Sequence, residues 1–386
     1  MMKRYMILLS ALLLNGCSSM NPLDMFADEE SAVQPAELVE VENQVAVTTL
    51  WSTTVGEGAG EQQVTLSPLV MGGQLYVADH NGMLKALNAA SGQTLWSIDS
   101  GLEISGGVGG GEQLVLVGTS NAEVVAFDAA NGSERWRTRV SSEVLSSPQV
   151  GQGKVVVHTI DGKVVGLNAS DGSQAWIYDR TIPVLTLYGS SSPVISGDNV
   201  ICGFSSGKLA ALDLASGNLQ WEISVTAPSG RSELERMVDI DGDPLVRDGV
   251  VYVTTYQGEM AAVSESSGSV LWRRKLSSYV ALSADTEHLY VSDAEGYVWA
   301  IVPRNGSALW RNKKMEARRL SGPVVVSNYI VVGDFEGYLH WLSPSNGSIV
   351  ARTRVGKAPI STPPVVVDNV AYVYGNGGEL SALAIR

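Results

Sequence analysis

Residues 155–177 read VVVHTIDGKVVGLNASDGSQAWI, and the fold follows from how this stretch divides. Val155-Val156-Val157-His158 is a β-branched run of the kind that fits a pleated sheet. Asp161-Gly162 reads as a tight hairpin turn, because glycine reaches positive φ without a Cβ clash. Lys163 to Asn168 forms the returning strand, Asp171-Gly172 turns again, and Ser173 to Ile177 comes back carrying Trp176. Upstream, Ser147-Pro148-Gln149-Val150 supplies a short first strand whose opening position tolerates proline. Four short antiparallel strands within about forty residues make one blade of a β-propeller.

The same unit recurs along the chain. Trp51, Trp96, Trp136, Trp176, Trp221, Trp272 and Trp310 close successive units, and Ala351 stands in the equivalent place. Four residues before most of these lies a turn glycine: Gly92, Gly132, Gly172, Gly217, Gly268, Gly306 and Gly347. Ten residues further upstream is a second glycine, replaced once by Ala122. Units begin at Pro68, Val108, Pro148, Pro193, Pro244, Leu282, Pro323 and Pro364, and each of the first seven starts 28 residues before its closing Trp or Ala. The eighth lacks a closing strand, whereas Leu50-Trp51-Ser52-Thr53 has no unit of its own. The N-terminal strand is therefore expected beside Glu379 to Ile385, pairing two otherwise open edges. The expected fold is all-β: an eight-bladed propeller of four-stranded blades over residues 45–386, its ring closed by that strand. The repeat tryptophans are expected to wedge between blades. Trp299 and Trp341, in third-strand positions, are assigned to the core.

The N-terminus sets the compartment. Lys3 and Arg4 precede a ten-residue, mostly apolar run, Tyr5 to Leu14, too short to span a bilayer and suited to a cleaved signal peptide at 1–16. Leu14-Asn15-Gly16-Cys17 resembles a bacterial lipobox, which makes Cys17 the expected acylation site. Ser18 stands where aspartate would signal inner-membrane retention, so the resemblance implies the periplasmic face of the outer membrane. Residues 17–44 are expected to form the lipidated N-terminus and an acidic tether, with Asp24, Asp28, Glu29, Glu30, Glu37, Glu40 and Glu42 interspersed with Pro22 and Pro35. Cys202 then has no partner and sits in an apolar run, which fits a buried, inert thiol. Loss of Lys3 and Arg4 takes the formal charge from −14 to −16. That balance argues against nucleic acid and against adhesion to anionic headgroups, leaving the lipid as the membrane anchor.

A catalytic or cofactor site does not assemble from the sequence. His80, His158, His288 and His340 lack close metal-ligand spacing. Gly106 to Gly111 precedes a strand rather than opening a helix, so it is not read as a phosphate cradle. Asp239-Ile240-Asp241-Gly242-Asp243 begins like a calcium loop, but Pro244 and Val250 occupy positions that loop reserves for Gly and Glu. Neither a metal nor a cofactor is expected.

Length varies almost only between a closing Trp and the next unit. Three connections exceed the usual 10–13 residues: 17 after Trp51, where Gly56 to Gly60 reads as flexible slack, and two consecutive ones, of 17 after Trp176 and 23 after Trp221. Loops on a rigid scaffold are where function concentrates. Of the consecutive pair, one contains Leu185, Thr186, Leu187 and Tyr188; the other contains Arg236, Asp239 and Asp241, with a capping-like Ser232-x-x-Glu235. These seven residues are the candidate partner-binding set. Leu185 and Leu187 are either partner contacts or core, and Asp239 and Asp241 are candidates to offer carboxylates to a basic surface.

The Ala86-Leu87-Asn88…Gly92…Trp96 pattern resembles the repeat of pyrroloquinoline-quinone enzymes. With the lipobox, the tether and three segments (Pro183 to Leu187, Ser232 to Asp241, and Gly333 to Trp341), the chain from Cys17 to Arg386 resembles the BamB family, propeller lipoproteins of the outer-membrane β-barrel assembly machine. The resemblance implies a non-enzymatic scaffold. It implies binding to the POTRA domains of BamA through the two long connections, and help to unfolded outer-membrane proteins. The family often carries a basic residue where this chain has Tyr188, so an ion pair there does not carry over. Competing readings are a periplasmic quinone-dependent dehydrogenase or its remnant, and a glycan-binding propeller.

Overall fold

The computed structural model describes residues 33–386; Cys17 and the expected signal peptide lie outside the described residues. Among the described residues there are thirty-two strands and no helix. The strands make six four-stranded sheets and one eight-stranded sheet. The larger sheet spans 109–178 and is two antiparallel four-strand groups linked by a single parallel pair, Gln149↔Gly110. Glycine makes that link possible, since a Cβ on Gly109 would lie 1.8 Å from the Pro148 carbonyl oxygen. The glycine-rich stretch is thus a strand, Gly109–Gly111, at a close sheet-to-sheet approach.

Each unit follows the order read from residues 147–177. Val155 to His158 pairs antiparallel with Val164 to Asn168, which pairs in turn with Gln174 to Tyr178. Short first strands of most successive units lie side by side, and that of 69–71 also neighbours that of 365–367. This is the arrangement of a β-propeller. Val47–Thr54 pairs antiparallel with Glu379–Ile385 along its length, with Trp51 opposite Ala382.

Why the repeat needs both tryptophan and glycine is now visible. The rings of Trp51, Trp96, Trp136, Trp176, Trp221, Trp272 and Trp310 lie on Gly92, Gly132, Gly172, Gly217, Gly268, Gly306 and Gly347, one unit further on; a Cβ at any of these glycines would meet the ring at 2.4–2.8 Å. Each indole Nε1–H also donates to a carbonyl of that next unit, as Trp96 does to Ala129 at 2.9 Å. A contact of this type contributes on the order of 2–3 kcal/mol through burial. Within its own sheet each ring faces a small residue: Ala86, Ala126, Gly166, Ala211, Ala262, Ala300 or Ala382. The 324–354 sheet inverts the pair, with Trp341 on the third strand facing Ala351 on the fourth. Trp341 is fully buried, as assigned from the sequence, and its Nε1 lacks a hydrogen-bond partner. Trp299 is only half-buried, with the Arg274 and Arg311 guanidinium carbons 5.0 and 4.6 Å from its ring centroid.

The body begins earlier than the expected tether boundary at residue 44. Pro35 onward belongs to it, and the stretch up to Gln44 is hydrogen-bonded to the 324–354 sheet and the connection before it. Cys202 is buried, and burial pushes its thiol well above the ordinary range, as suits an inert side chain.

Candidate partner-docking site

The two long connections are neighbours, held together by carboxylates. Residues 239, 241 and 243 alternate along an extended segment, so their side chains share one side. Asp239 accepts the Leu187 N–H, and Asp243 Oδ1 accepts the Ser192 N–H at 2.5 Å. Between them, the Asp241 carboxyl lies against Gly189, where an added Cβ would approach it to 3.1 Å. Ile240 points the other way and is buried, packing where Gly203 leaves room. The Asp-x-Asp-x-Asp segment is therefore a brace for the 181–192 connection. No group of three or more His, Cys, Asp or Glu suited to a metal occurs among the described residues.

This placement corrects one expectation. Asp239 is fully buried, one oxygen is spent on Leu187, and Oδ1 is buried without a partner. It has no surface to offer a basic partner. Burial pushes its carboxyl up to about 6. Asp241 is raised further, to about 7, by burial and by the charge of Asp239. Asp241 keeps contact with solvent through a cavity of about 450 Å³, which Leu187, Tyr188, Asp243, Ser147 and Ser192 also line.

The braced connection presents apolar side chains outward. Leu185 is 41% exposed, which places it outside the core, while Leu187 is half-buried at the cavity rim and Thr186 lies between them, half-buried. Sequence reasoning missed the more prominent Val184, at 93% exposure, and Leu234, at 59% in the second connection. Neither lies in a periodic element, so the only available signal was an apolar residue in a long connection. Tyr188 is exposed, and its hydroxyl donates to Glu143 at 2.9 Å, tying in the connection before. Arg236 is exposed in a single turn, near Glu233. In that turn Glu235 accepts the Ser232 N–H at 3.1 Å while Ser232 Oγ accepts the Glu235 N–H at 3.2 Å, the reciprocal cap that the spacing suggested.

The histidines are dispersed. His158 is buried against Phe204, with burial lowering it to about 4, and His340 is buried beside Asp334, far along the chain from His80 and His288.

Repeated four-stranded sheets with a braced, outward-facing apolar connection define a propeller of the quinoprotein-repeat type whose distinctive surface is a loop patch. Comparison with known proteins narrows this. The family profile described as outer membrane protein assembly factor BamB matches residues 80–312 and 300–386. The chain is 43% identical to outer membrane protein assembly factor BamB of Pseudomonas aeruginosa, over all of this chain and 99% of that one. It is 48% identical to the protein of that name from Alkalilimnicola ehrlichii over 76% and 77% of the two chains. The crystal structure of BamB from Moraxella catarrhalis superposes with a TM-score of 0.80 at 27% identity, covering 88% of this chain and all of that one. A europium-containing methanol dehydrogenase, at 13% identity and a TM-score of 0.72, shares the fold. The chain belongs to the BamB family of outer membrane protein assembly factors.

Proposed function

We propose that this chain is a non-enzymatic scaffold of outer-membrane protein assembly, acylated at Cys17 and held at the periplasmic face of the outer membrane. Its body is an eight-bladed ring closed by the strand Val47–Thr54. The ring presents the 181–192 and 229–243 connections to the POTRA domains of BamA, and through that complex aids the folding and insertion of β-barrel proteins. The relatives' names support the assembly role. The pairing of Val47–Thr54 with Glu379–Ile385 supports closure.

One observation carries the docking site: Ile182, Val184, Leu185 and Tyr188 stand exposed on a connection whose backbone is pinned from beneath by Asp239. Exposed apolar side chains on a pre-organised loop keep their burial energy for a partner and lose little entropy on binding. Thr186 and Leu187 complete the connection, with Arg236 and Asp241 at the rim. Binding energy concentrates in few residues. Val184→Ser with Leu185→Ser is expected to weaken binding to purified BamA POTRA domains at least tenfold while leaving the melting temperature unchanged. Wild-type affinity in the folded double variant would rule this patch out.

A further inference from the structure

The segment Gly333 to Trp341 carried part of the family resemblance, yet it lies outside the docking patch. Its side chains converge on the chain's own residues 36–44. Arg318 is 3% exposed; its Nε donates to Asp334 Oδ2 at 2.9 Å, Nη2 pairs with Glu336, and Nη1 donates to the Ala36 carbonyl at 2.9 Å. Arg352 repeats the device: Nε donates to His340 Nδ1 at 3.2 Å and Nη1 to the Val39 carbonyl at 2.7 Å. Because arginine can only donate, His340 Nδ1 must accept, which leaves Nε2–H to donate to Asp334 at 2.8 Å. Two guanidinium groups are thus oriented by one buried Asp–His pair, and each delivers a hydrogen bond to a backbone carbonyl of an extended segment.

Backbone contacts follow the same path. The Ala36 N–H donates to the Glu316 carbonyl at 2.9 Å and the Gln44 N–H to the Val350 carbonyl at 2.8 Å. Asn43 Oδ1 accepts the Arg352 N–H at 2.9 Å. The segment therefore occupies the open edge of the strand Ile349–Arg354. This is the sheet whose tryptophan has moved inward, to Trp341, leaving Ala351 at the outer position. Val45 and Val47 pack against the same apolar cluster as Ala351 and Trp341.

We propose that the 324–354 sheet is a clamp for an extended peptide, occupied by residues 36–47 of this chain, and that the clamp sets the point from which the membrane tether leaves the body. The inversion of Trp and Ala gives the segment room, and Arg318 and Arg352 bind its carbonyls. The two arginine contacts read backbone carbonyls rather than particular side chains, and Asn43 adds one side-chain contact to the Arg352 N–H. The functional consequence rests on the acylation of Cys17. With the clamp closed, the leash from Cys17 to Ala36 is 19 residues; with it open, the leash to Val47 is 30 residues. At full extension that is roughly 65 Å against roughly 105 Å. A shorter leash, fixed to one sheet, restricts which side of the body turns toward the bilayer.

Hydrogen exchange on the full chain tests the clamp, comparing wild type with Arg352→Gln and Asn43→Ala combined. The Ala36 and Gln44 amides, which donate to the Glu316 and Val350 carbonyls, are expected to be protected in wild type and to exchange at least tenfold faster in the variant, while amides of 329–342 remain unchanged. Exchange at free-peptide rates in wild type would overturn the clamp, as would equal protection in the variant. Acylated protein in bilayer nanodiscs, carrying a dye at Ser345→Cys, tests the leash by energy transfer to a labelled bilayer. The variant is expected to show lower, broader transfer efficiency. Faster exchange with unchanged transfer would overturn the leash role and keep the clamp. Failure to associate with the bilayer would sink the anchor reading and with it the leash, while the exchange rates still decide the clamp.

Discussion

Replacing Asp239 by asparagine separates two roles that a carboxylate under a docking loop can have. Its oxygen accepts the Leu187 N–H, and an amide oxygen does the same at equal size. Its charge is another matter. Burial raises the carboxyl from near 3.9 to about 6, so ionisation opposes folding. A folded-state value above the unfolded one means that stability is full below about pH 4, declines as pH rises through the window from about 4 to 6, and stays reduced above it. At about 1.4 kcal/mol per pH unit the deficit reaches about 3 kcal/mol by pH 8, undiminished by screening because the residue is fully buried. Asp239→Asn is expected to stabilise the protein by about 3 kcal/mol at pH 8 and by about 1 kcal/mol at pH 4.5. For a body of this size the pH 8 gain corresponds to about 4 °C in melting temperature. Removing this charge also lowers Asp241 toward the ordinary range, since Asp239 is one cause of its elevation. POTRA binding should be unchanged in Asp239→Asn. In Asp239→Ala it should weaken, because the Leu187 amide loses its acceptor at a cost of about 1–3 kcal/mol and the loop is freed. Thermal melts at both pH values, together with binding titrations, decide it. A gain that does not vary with pH would refute the titration argument, and equal loss of binding in both variants would restore Asp239 as a charge offered to the partner.

Trp51→Ala removes a ring that lies on Gly92 and donates to the Ala89 carbonyl at 2.9 Å; a loss of about 3 kcal/mol is expected in denaturant titrations, and an unchanged midpoint would argue that the N-terminal strand is dispensable. Ala122 holds φ at +61° where the other units use glycine, so Ala122→Gly should gain about 1 kcal/mol, or about 1–2 °C, in calorimetry; a lower melting temperature would count against a strained turn. Cys17→Ala should release the protein from membranes and lower its mass by the acyl groups, and a variant still pelleting with membranes at wild-type yield would contradict the anchor.

How much was legible in the sequence depended on whether the signal was local. Strand, turn and repeat were readable because each rests on neighbouring residues: β-branched runs, Asp-Gly turns, and a tryptophan four places after a glycine. Even the placement of Leu50 to Thr53 beside Glu379 to Ile385 followed from counting, since one unit lacked a strand and one strand lacked a unit. The two long connections were equally visible as departures from a fixed period. Burial within those connections was not. Asp239 and Asp241 are two residues apart and chemically identical, yet one is sealed beneath Leu187 and the other reaches the cavity, because the difference lies in a connection some fifty residues earlier in the chain. Val184 and Leu234 carried no periodic mark to separate them from core leucines. Ala351 looked like a simple loss of tryptophan until its cross-strand partner proved to be Trp341, and the acidic segment read as tether to residue 44 proved to belong to the body from Pro35. Local preference and period determine which elements form and how often they repeat; exposure, bracing and the seat of the N-terminal segment come from contacts between residues far apart in the chain, which only the tertiary structure brings together.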